Sequence, residues 1–456
     1  MHRPRAAFHA IVEAVSDRAP APDRLRRWIG LLVVLLGLFH ASRSVGLVSS
    51  NDGSHVALGR ALALRHETSI TPDVGLTLWI DLAQRDGVDY SDRPPGTAFA
   101  ALPALWVGSR LDAGWGEESI ARLKSGSKDA TLEDIVVVRP ATDRYIATYG
   151  KRRLDKQAAS PNLIELQGTA LFAGVHAALM GALGLLGLLA LLRRRKLDPI
   201  GELVVLLAVS VGTLWGPYST MLFSHVTAGT MLVWCVWGLE SLADAESSAA
   251  RWRFAALAGL TGAWAVSADY ALVVAVVPLV LVVGPWREAP KLALGALPIA
   301  LLTAAYHDAA FGSPLSIGYD HHATFAFATS RGATFSGNPL TGAWTLWGAG
   351  EGAGALVMAP VVVAAAVGMA FERRIGLALL PWAVLLCFHR TPTGGAGADH
   401  RYLVPVVAVL GVGLAGIWRW PEASSKGRQA WVRGGIVALA ALSAGLVWSH
   451  FIAWRG

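Results

Sequence analysis

Charge is what this chain has little of. Of its 456 residues only 16% are Asp, Glu, Lys or Arg, against 54% hydrophobic, and the mean hydropathy is +0.47. Soluble domains carry about a quarter charged residues, so a soluble enzyme is excluded. Cysteine is nearly absent. Cys235 and Cys387 both lie inside apolar runs, which argues against a disulfide framework or a thiolate metal centre and suits two small core residues. Internal repeats and low-complexity linkers are missing as well. The net charge of +7 would raise nucleic-acid binding in a soluble protein. Here no nucleic acid is expected, because Lys and Arg gather at the ends of apolar runs, as they do at cytoplasmic loops.

What the chain has instead is a succession of apolar runs that reach or approach the roughly 20 residues needed to cross a bilayer. The first is Trp28–Val48. Others lie near Leu163–Leu192, Glu202–Trp215, Ser219–Leu239, Phe254–Ala268, Tyr270–Val283, Leu292–Ala310, Ala353–Met369, Gly376–Phe388, Tyr402–Ile417 and Gly434–His450. The expected fold class is an all-α polytopic membrane protein with about 11 transmembrane helices. The first run is no cleavable signal: it is long, follows a polar leader and lacks a small-residue cleavage pattern.

Sidedness follows from the bases. Arg24, Arg26 and Arg27, Arg193–Lys196, Arg251 and Arg253, Arg287 and Lys291, Arg373 and Arg374, and 419–428 all fall on one side, which puts the N-terminus in the cytoplasm. The apolar stretch 97–110 breaks this alternation if it crosses, so it is read as a surface or re-entrant helix. Three parts are expected: a cytoplasmic leader 1–27, a catalytic membrane module 28–418 carrying a polar extramembrane insert at about 111–162, and a cytoplasmic loop with a last transmembrane helix, 419–456.

The unusual polar residues then collect on the opposite, extracytoplasmic face. Asn51-Asp52-Gly53-Ser54-His55 follows the first span, and Tyr90-Ser91-Asp92-Arg93-Pro94-Pro95-Gly96 precedes the next apolar stretch. Pro217-Tyr218 and His225 flank a tight hairpin, and Asp269-Tyr270 tips another. Tyr306-His307-Asp308 leads through Phe311-Gly312-Ser313-Pro314 to Gly318-Tyr319-Asp320-His321-His322. Asp399-His400-Arg401-Tyr402 opens a late span. Ionisable groups are costly beside lipid and usually mark chemistry. A carboxylate there can take a proton from an acceptor hydroxyl, and Arg93 and Arg401 can hold a phosphate leaving group.

The motifs and their order resemble the GT-C superfamily of polyprenyl-phosphate-dependent glycosyltransferases, which includes protein mannosyltransferases and aminoarabinose transferases. Asn51-Asp52-Gly53-Ser54-His55 is similar to that family's first-loop acid motif, and Tyr90–Gly96 to its "YSDKPPG" element with Arg93 in place of Lys. Gly212-Thr213, Pro217-Tyr218 and Phe223-Ser224-His225 resemble a "GT…PY…FSH" hairpin, and Asp269-Tyr270 a "DY" turn. Tyr306, Phe311–Pro314 and Gly318-Tyr319 resemble "YN…FGSP…GY", and Gly394-Gly395 with Arg401–Pro405 resembles "GG…PRYLLP". The chain departs from the family at Trp347–Gly352, at Thr393 and at Asp399-His400.

The resemblance implies a GT-C bundle in the inner membrane, acting on its outer face. Asp52 would be the general base of an inverting transfer, with Asp92 as a second catalytic residue that orients the acceptor or tunes Asp52. His55, Arg93, Tyr218, His225, Asp269, Tyr270, Tyr319, His400 and Arg401 would bind substrate and phosphate. The implied partners are a polyprenyl-phosphate-sugar donor, the lipid bilayer and a glycan, lipid or protein acceptor. No cofactor is assigned; room is left for a divalent cation, but no metal ligands are.

Blander readings stand beside these. Asp52 is a favoured N-cap for a helix starting near Ser54. Asp92-Arg93 can be a surface ion pair. Asp320-His321-His322 offers metal-type ligands, but neighbours cannot readily ligate one ion and no spaced partner set exists. Ala323 stands where a palmitoyltransferase needs cysteine. Gly348–Gly354 suits close helix packing more than phosphate binding. A transporter or flippase for a lipid-linked substrate, or a non-catalytic relative, are the alternative functions.

Overall fold

The computed structural model describes residues 22–44, 47, 49–114, 166–350, 354–393, 399–420 and 425–455. The leader up to 21, most of the expected insert, Glu351-Gly352 and Gly394-Gly395 lie outside the described residues.

Helices dominate. In chain order they are α1 (Pro22–Ser42), α2 (Ser50–Arg60), α3 (Gly96–Gly114), α4 (Gln167–Arg194), α5 (Pro199–Gly212), α6 (Ser224–Ala243), α7 (Ser248–Ala268), α8 (Val273–Val282), α9 (Ala289–Phe311), α10 (Pro339–Trp347), α11 (Pro360–Gly368), α12 (Arg373–Cys387), α13 (Val404–Arg419) and α14 (Lys426–Arg455). A short antiparallel hairpin, β1 (Ala83–Arg85) and β2 (Val88–Tyr90), pairs Ala83 with Tyr90. Helix α6 is central, packed on α4, α7 and α13, and its flank toward them is buried from Val226 to Leu242.

Six helices among the described residues are long and apolar enough to cross a membrane: the stretches Arg24–Ser42, Gln167–Arg194, Ser224–Ala243, Trp286–Phe311, Arg401–Arg419 and Lys426–Ile452. The expected spans near Glu202, Tyr270 and Ala353 form shorter apolar helices. Large apolar side chains stand exposed along outward faces, such as Leu31, Leu35 and Leu38 on α1 and Leu294, Leu297 and Leu301 on α9. Such continuous apolar surface suits lipid, not water. The first span ends earlier than its hydrophobicity suggests. Arg43 and Ser44 turn their N–H groups back onto the carbonyls of Phe39, His40 and Ala41, closing the helix at Ser42.

The basic clusters share one end of the bundle. Arg26 and Arg193 flank the buried Glu202, Arg195 bridges Glu240 and Glu372, and Arg194 pairs with Asp244 at 2.5 Å. Helix α3 packs on α4 toward the other end. At its start, a Cβ on Gly96 would meet Ser267 and Ala268, the last residues of α7, at about 2.5 Å. Near its finish, Gly108 touches Gly168 and Thr169 at the start of α4. Both ends of α3 therefore touch the same end of the bundle.

An ion-pair knot fixes this arrangement. Arg60 at the end of α2 reaches Asp73 (3.1 Å), Asp112 of α3 (3.5 Å) and the Thr169 hydroxyl (3.2 Å). Asp112 in turn accepts from the Thr169 N–H at 2.9 Å and from its hydroxyl. Removing Asp112 leaves Arg60 and Thr169 short of their charged acceptor. Asp112→Ala is expected to destabilise by about 2 kcal/mol, read as a lower melting temperature in detergent; Asp112→Asn, which keeps the acceptor oxygen for Thr169, should lose less.

Candidate active site

The site forms at the end of the bundle that α3 touches, and α2 opens it. Ser49 is the N-cap of α2 and Asp52 its N3 residue, bonded reciprocally as a capping box. The Asp52 Oδ1 accepts from the Ser49 N–H (2.8 Å), the Ser49 hydroxyl (3.0 Å) and the Gly53 N–H (3.0 Å). The sequence reading, with Asp52 as N-cap of a helix starting near Ser54, needs correcting. The helix begins four residues earlier, because Ser49 supplies the cap. Gly53 is required here by close approach: a Cβ would lie 1.7 Å from the Leu76 carbonyl oxygen.

One face of α2 then reaches the acids. Ser50 donates to Asp81 Oδ2 at 2.6 Å, and Ser54, one turn on, donates to Asp92 Oδ1 at 3.3 Å and lies 2.8 Å from the Ser91 hydroxyl. Residues two apart in a helix do not share a face, so Asp52 is directed to the other side of that first turn.

Asp81, Asp92, Arg93 and His322 form the centre. The Arg93 guanidinium pairs with Asp81 Oδ1 through Nη2 and lies 3.5 Å from Asp92 Oδ1 through Nε. The His322 Nε2 is 3.5 Å from Asp92 Oδ2, which has no hydrogen-bond partner among the described residues. Burial would raise the Asp81 carboxyl, but the charge and hydrogen bond of Arg93 and the Ser50 hydroxyl bring it below the usual range. Burial, reinforced by Asp81 and opposed by Arg93, pushes Asp92 up to about 7. One carboxylate is therefore ionised while its neighbour exchanges its proton near neutrality. Burial and Arg93 together push His322 down to about 4, so its ring is neutral.

Oxygens of Asp81 and Asp92 and a ring nitrogen of His322 lie within 4.8 Å of one another, a grouping that could suggest a divalent ion. The donor set does not fit one. Arg93 already sits against both acids. The His322 Nδ1 accepts the backbone N–H groups of Thr324 (3.1 Å) and Phe325 (3.2 Å), which assigns its proton to Nε2, the nitrogen facing Asp92. A protonated Nε2 has no lone pair for a metal.

A second set of side chains adjoins Arg93. Arg401, Arg93 and His55 all act electrostatically on His225. His55 and His225 are buried, and neither ring nitrogen of either has a hydrogen-bond partner among the described residues. Arg401 stacks over Phe223 and Tyr402, each 5.9 Å from the ring centre. The Tyr218 hydroxyl donates to Asp399 at 2.7 Å, and Asp399 also accepts from the Arg401 N–H at 3.0 Å. Burial and Asp399 hold the Tyr218 phenol well above its usual range, so it stays protonated. His400 is buried beside them.

An aromatic wall completes the site. Tyr319 feels the charges of Arg93, Asp92 and Asp269, and its ring meets Tyr270 edge-on at 6.2 Å. The Tyr270 hydroxyl lies 2.7 Å from His307 Nε2. Asp269 caps the turn after α7 by accepting from the Ala271 N–H at 3.1 Å, and burial pushes its carboxyl up to about 6.

Arg93, Asp92, His55, His225, Arg401, Tyr218, Asp269, Tyr270 and Tyr319 thus converge from distant segments. Three further groups join them. Asp81, His322 and Asp399 were given no role from sequence. Asp81 and His322 meet through a bridge between Ala83 and His322 and through the Ala323 N–H bonded to the Leu82 carbonyl at 2.9 Å. No local sequence signal carries that pairing.

No family model and no curated protein matches the sequence. Solved structures do. ArnT from Cupriavidus metallidurans in the apo state aligns over 93% of this chain and 76% of its own, at 14% identity and a TM-score of 0.51. The same protein bound to undecaprenyl phosphate aligns over 94% and 76%, at 13% identity and a TM-score of 0.50. The archaeal oligosaccharyltransferase AglB from Archaeoglobus fulgidus, in complex with an inhibitory peptide and a dolichol-phosphate, aligns over 94% of this chain and 56% of its own, at 13% identity and a TM-score of 0.42. With its apolar helices and the likeness to ArnT over nearly its whole length, the chain is a multi-pass membrane protein that shares the ArnT fold.

Proposed function

We propose that the chain is a membrane glycosyltransferase that moves a sugar from a polyprenyl-phosphate donor to an acceptor hydroxyl. The reaction is placed at the outer face of the cytoplasmic membrane, opposite the basic helix ends. One observation carries the reading. Two arginines, Arg93 and Arg401, and two buried imidazoles whose nitrogens have no partner among the described residues, His55 and His225, share one site with the acids at one end of a GT-C bundle.

In this reading Asp52, directed away from Arg93 on the first turn of α2, takes the proton of the acceptor hydroxyl on the side of the sugar opposite the phosphate. The acceptor oxygen bonds the anomeric carbon from the face opposite the phosphate, which inverts that carbon. The bond from the anomeric carbon to the phosphate oxygen breaks, and the phosphate leaves with the electron pair toward Arg93 and Arg401. His55 and His225 can donate to its oxygens. Asp92 and Tyr319 orient the acceptor, and Asp269 and Tyr270 contact the sugar. An apolar cavity of about 350 Å³, lined by Trp347, Met369, Leu379, Trp382, Val406 and Leu410 among others, suits part of a prenyl tail.

The test is binding and transfer. Purified protein should bind undecaprenyl phosphate in detergent, and Arg401→Gln should weaken that binding about tenfold, the worth of one charge-assisted contact, as followed by tryptophan fluorescence. Membranes containing the protein should transfer labelled sugar from a polyprenyl-phosphate donor. Movement of the lipid across vesicles with no glycosidic bond made would replace this reading with a transporter.

A further inference from the structure

We propose that Asp81 is a positioning residue: it is the counter-ion that holds the Arg93 guanidinium in the empty site, yields it to the lipid phosphate and takes it back when the phosphate leaves. This rests on the reading of Arg93 as a phosphate-binding group.

Asp81 stands where three chain segments meet. Its Oδ1 pairs with Arg93 Nη2 and its Oδ2 accepts from Ser50 at the start of α2. The two residues after it, Leu82 and Ala83, pair by backbone with Ala323 and His322. Asp81 is thereby fixed from both sides, while Arg93 reaches it on a long side chain. The Arg93 guanidinium is mostly buried, with its side chain 19% exposed. A buried guanidinium without an anion is costly. Asp92 is a weak substitute, because its Oδ1 is 3.5 Å away and burial raises its carboxyl, so it is only partly ionised near neutrality.

The geometry has a directional consequence. A phosphate arriving at Arg93 competes with the Asp81 carboxylate for the same donors. Removing the carboxylate should therefore tighten phosphate binding and slow release of the phosphate product. An Asp81 that only braces the fold would do neither.

The probe is undecaprenyl phosphate with purified full-length protein in detergent. Asp81→Asn is expected to bind it about tenfold more tightly than wild type, the scale of one charged competitor removed from a partly buried site. It should also melt lower when empty and be stabilised more by the lipid than wild type. If transfer is assayed, KM for the donor and kcat should both fall. The gain should vanish on an Arg93→Gln background, which shows that it passes through Arg93. Should Asp81→Asn not fold, Asp81→Ser, which removes the charge and keeps a hydroxyl for Ser50, is measured the same way. Binding unchanged or weaker in a folded variant overturns the counter-ion role and leaves the proposed function standing. Wild-type protein that fails to bind the lipid at all overturns the proposed function and this role with it.

Discussion

Asp52→Asn is expected to lose about 10³-fold in transfer activity while melting within about 2 °C of wild type. The two halves of that result separate the two things Asp52 can do. Its Oδ1 accepts three hydrogen bonds inside the capping box of α2, and an asparagine carbonyl oxygen in the same place can still accept from the Ser49 and Gly53 N–H groups. The cap survives, but the carboxylate that would take the acceptor proton is gone. Asp52→Ala removes both and should add about 1 kcal/mol of destabilisation, visible as a lower melting temperature. Full transfer in Asp52→Asn, with only Asp52→Ala impaired, would make Asp52 a structural cap and move the base elsewhere. The candidate would then be Asp92, whose Oδ2 has no hydrogen-bond partner among the described residues.

The contrast between Asp52 and Asp81 shows what a sequence discloses here. The apolar runs, the basic ends and the polar knots between them are local. They place α1, α4, α6, α9, α13 and α14 and set the basic helix ends opposite the polar knots of the site, because hydrophobic length and Lys/Arg bias are read one segment at a time. The Asp92-Arg93 pair and the Arg401 segment were legible for the same reason. The cap of α2 was legible in principle, since Ser49-x-x-Asp52 has the spacing of a capping box, but the apolar Trp28–Val48 run seemed to extend up to Ser49 and hid the end of α1 at Ser42. Asp81 and His322 were not legible. Asp81 gains its meaning from Ser50, 31 residues away, and His322 from a bridge to Ala83; neither partner is set by periodicity. The same holds for the Arg60–Asp73–Asp112 knot, which joins three segments through side chains that look like surface charges in the sequence.

The pH dependence of the site should be carried by Asp92, and Asp92→Asn should nearly remove it. Facing Asp92 are Asp81, Arg93, His322 and Ser54, with Tyr306 and Tyr319 near enough to feel its charge. Its carboxyl is pushed up to about 7, whereas in an unfolded chain it titrates near 3.9. The folded state therefore holds the proton more tightly. The stability this contributes is complete below about pH 4 and is lost as pH rises through about 7. Wild-type protein should accordingly melt lower at pH 8.5 than at pH 6, and Asp92→Asn, which carries the neutral form permanently, should fall less and be the more stable of the two at pH 8.5. Phosphate binding should move in the same sense, because ionised Asp92 beside Arg93 opposes an incoming anion. The lipid phosphate takes up its own second charge near pH 6, so the readout is the difference between variant and wild type. That difference should be about tenfold in favour of Asp92→Asn at pH 8.5 and about twofold or less at pH 5.5. A difference that stays constant across this range, or a wild-type melting temperature that falls from pH 6 to 8.5 no more steeply than the variant's, would show that Asp92 does not change its charge over this range.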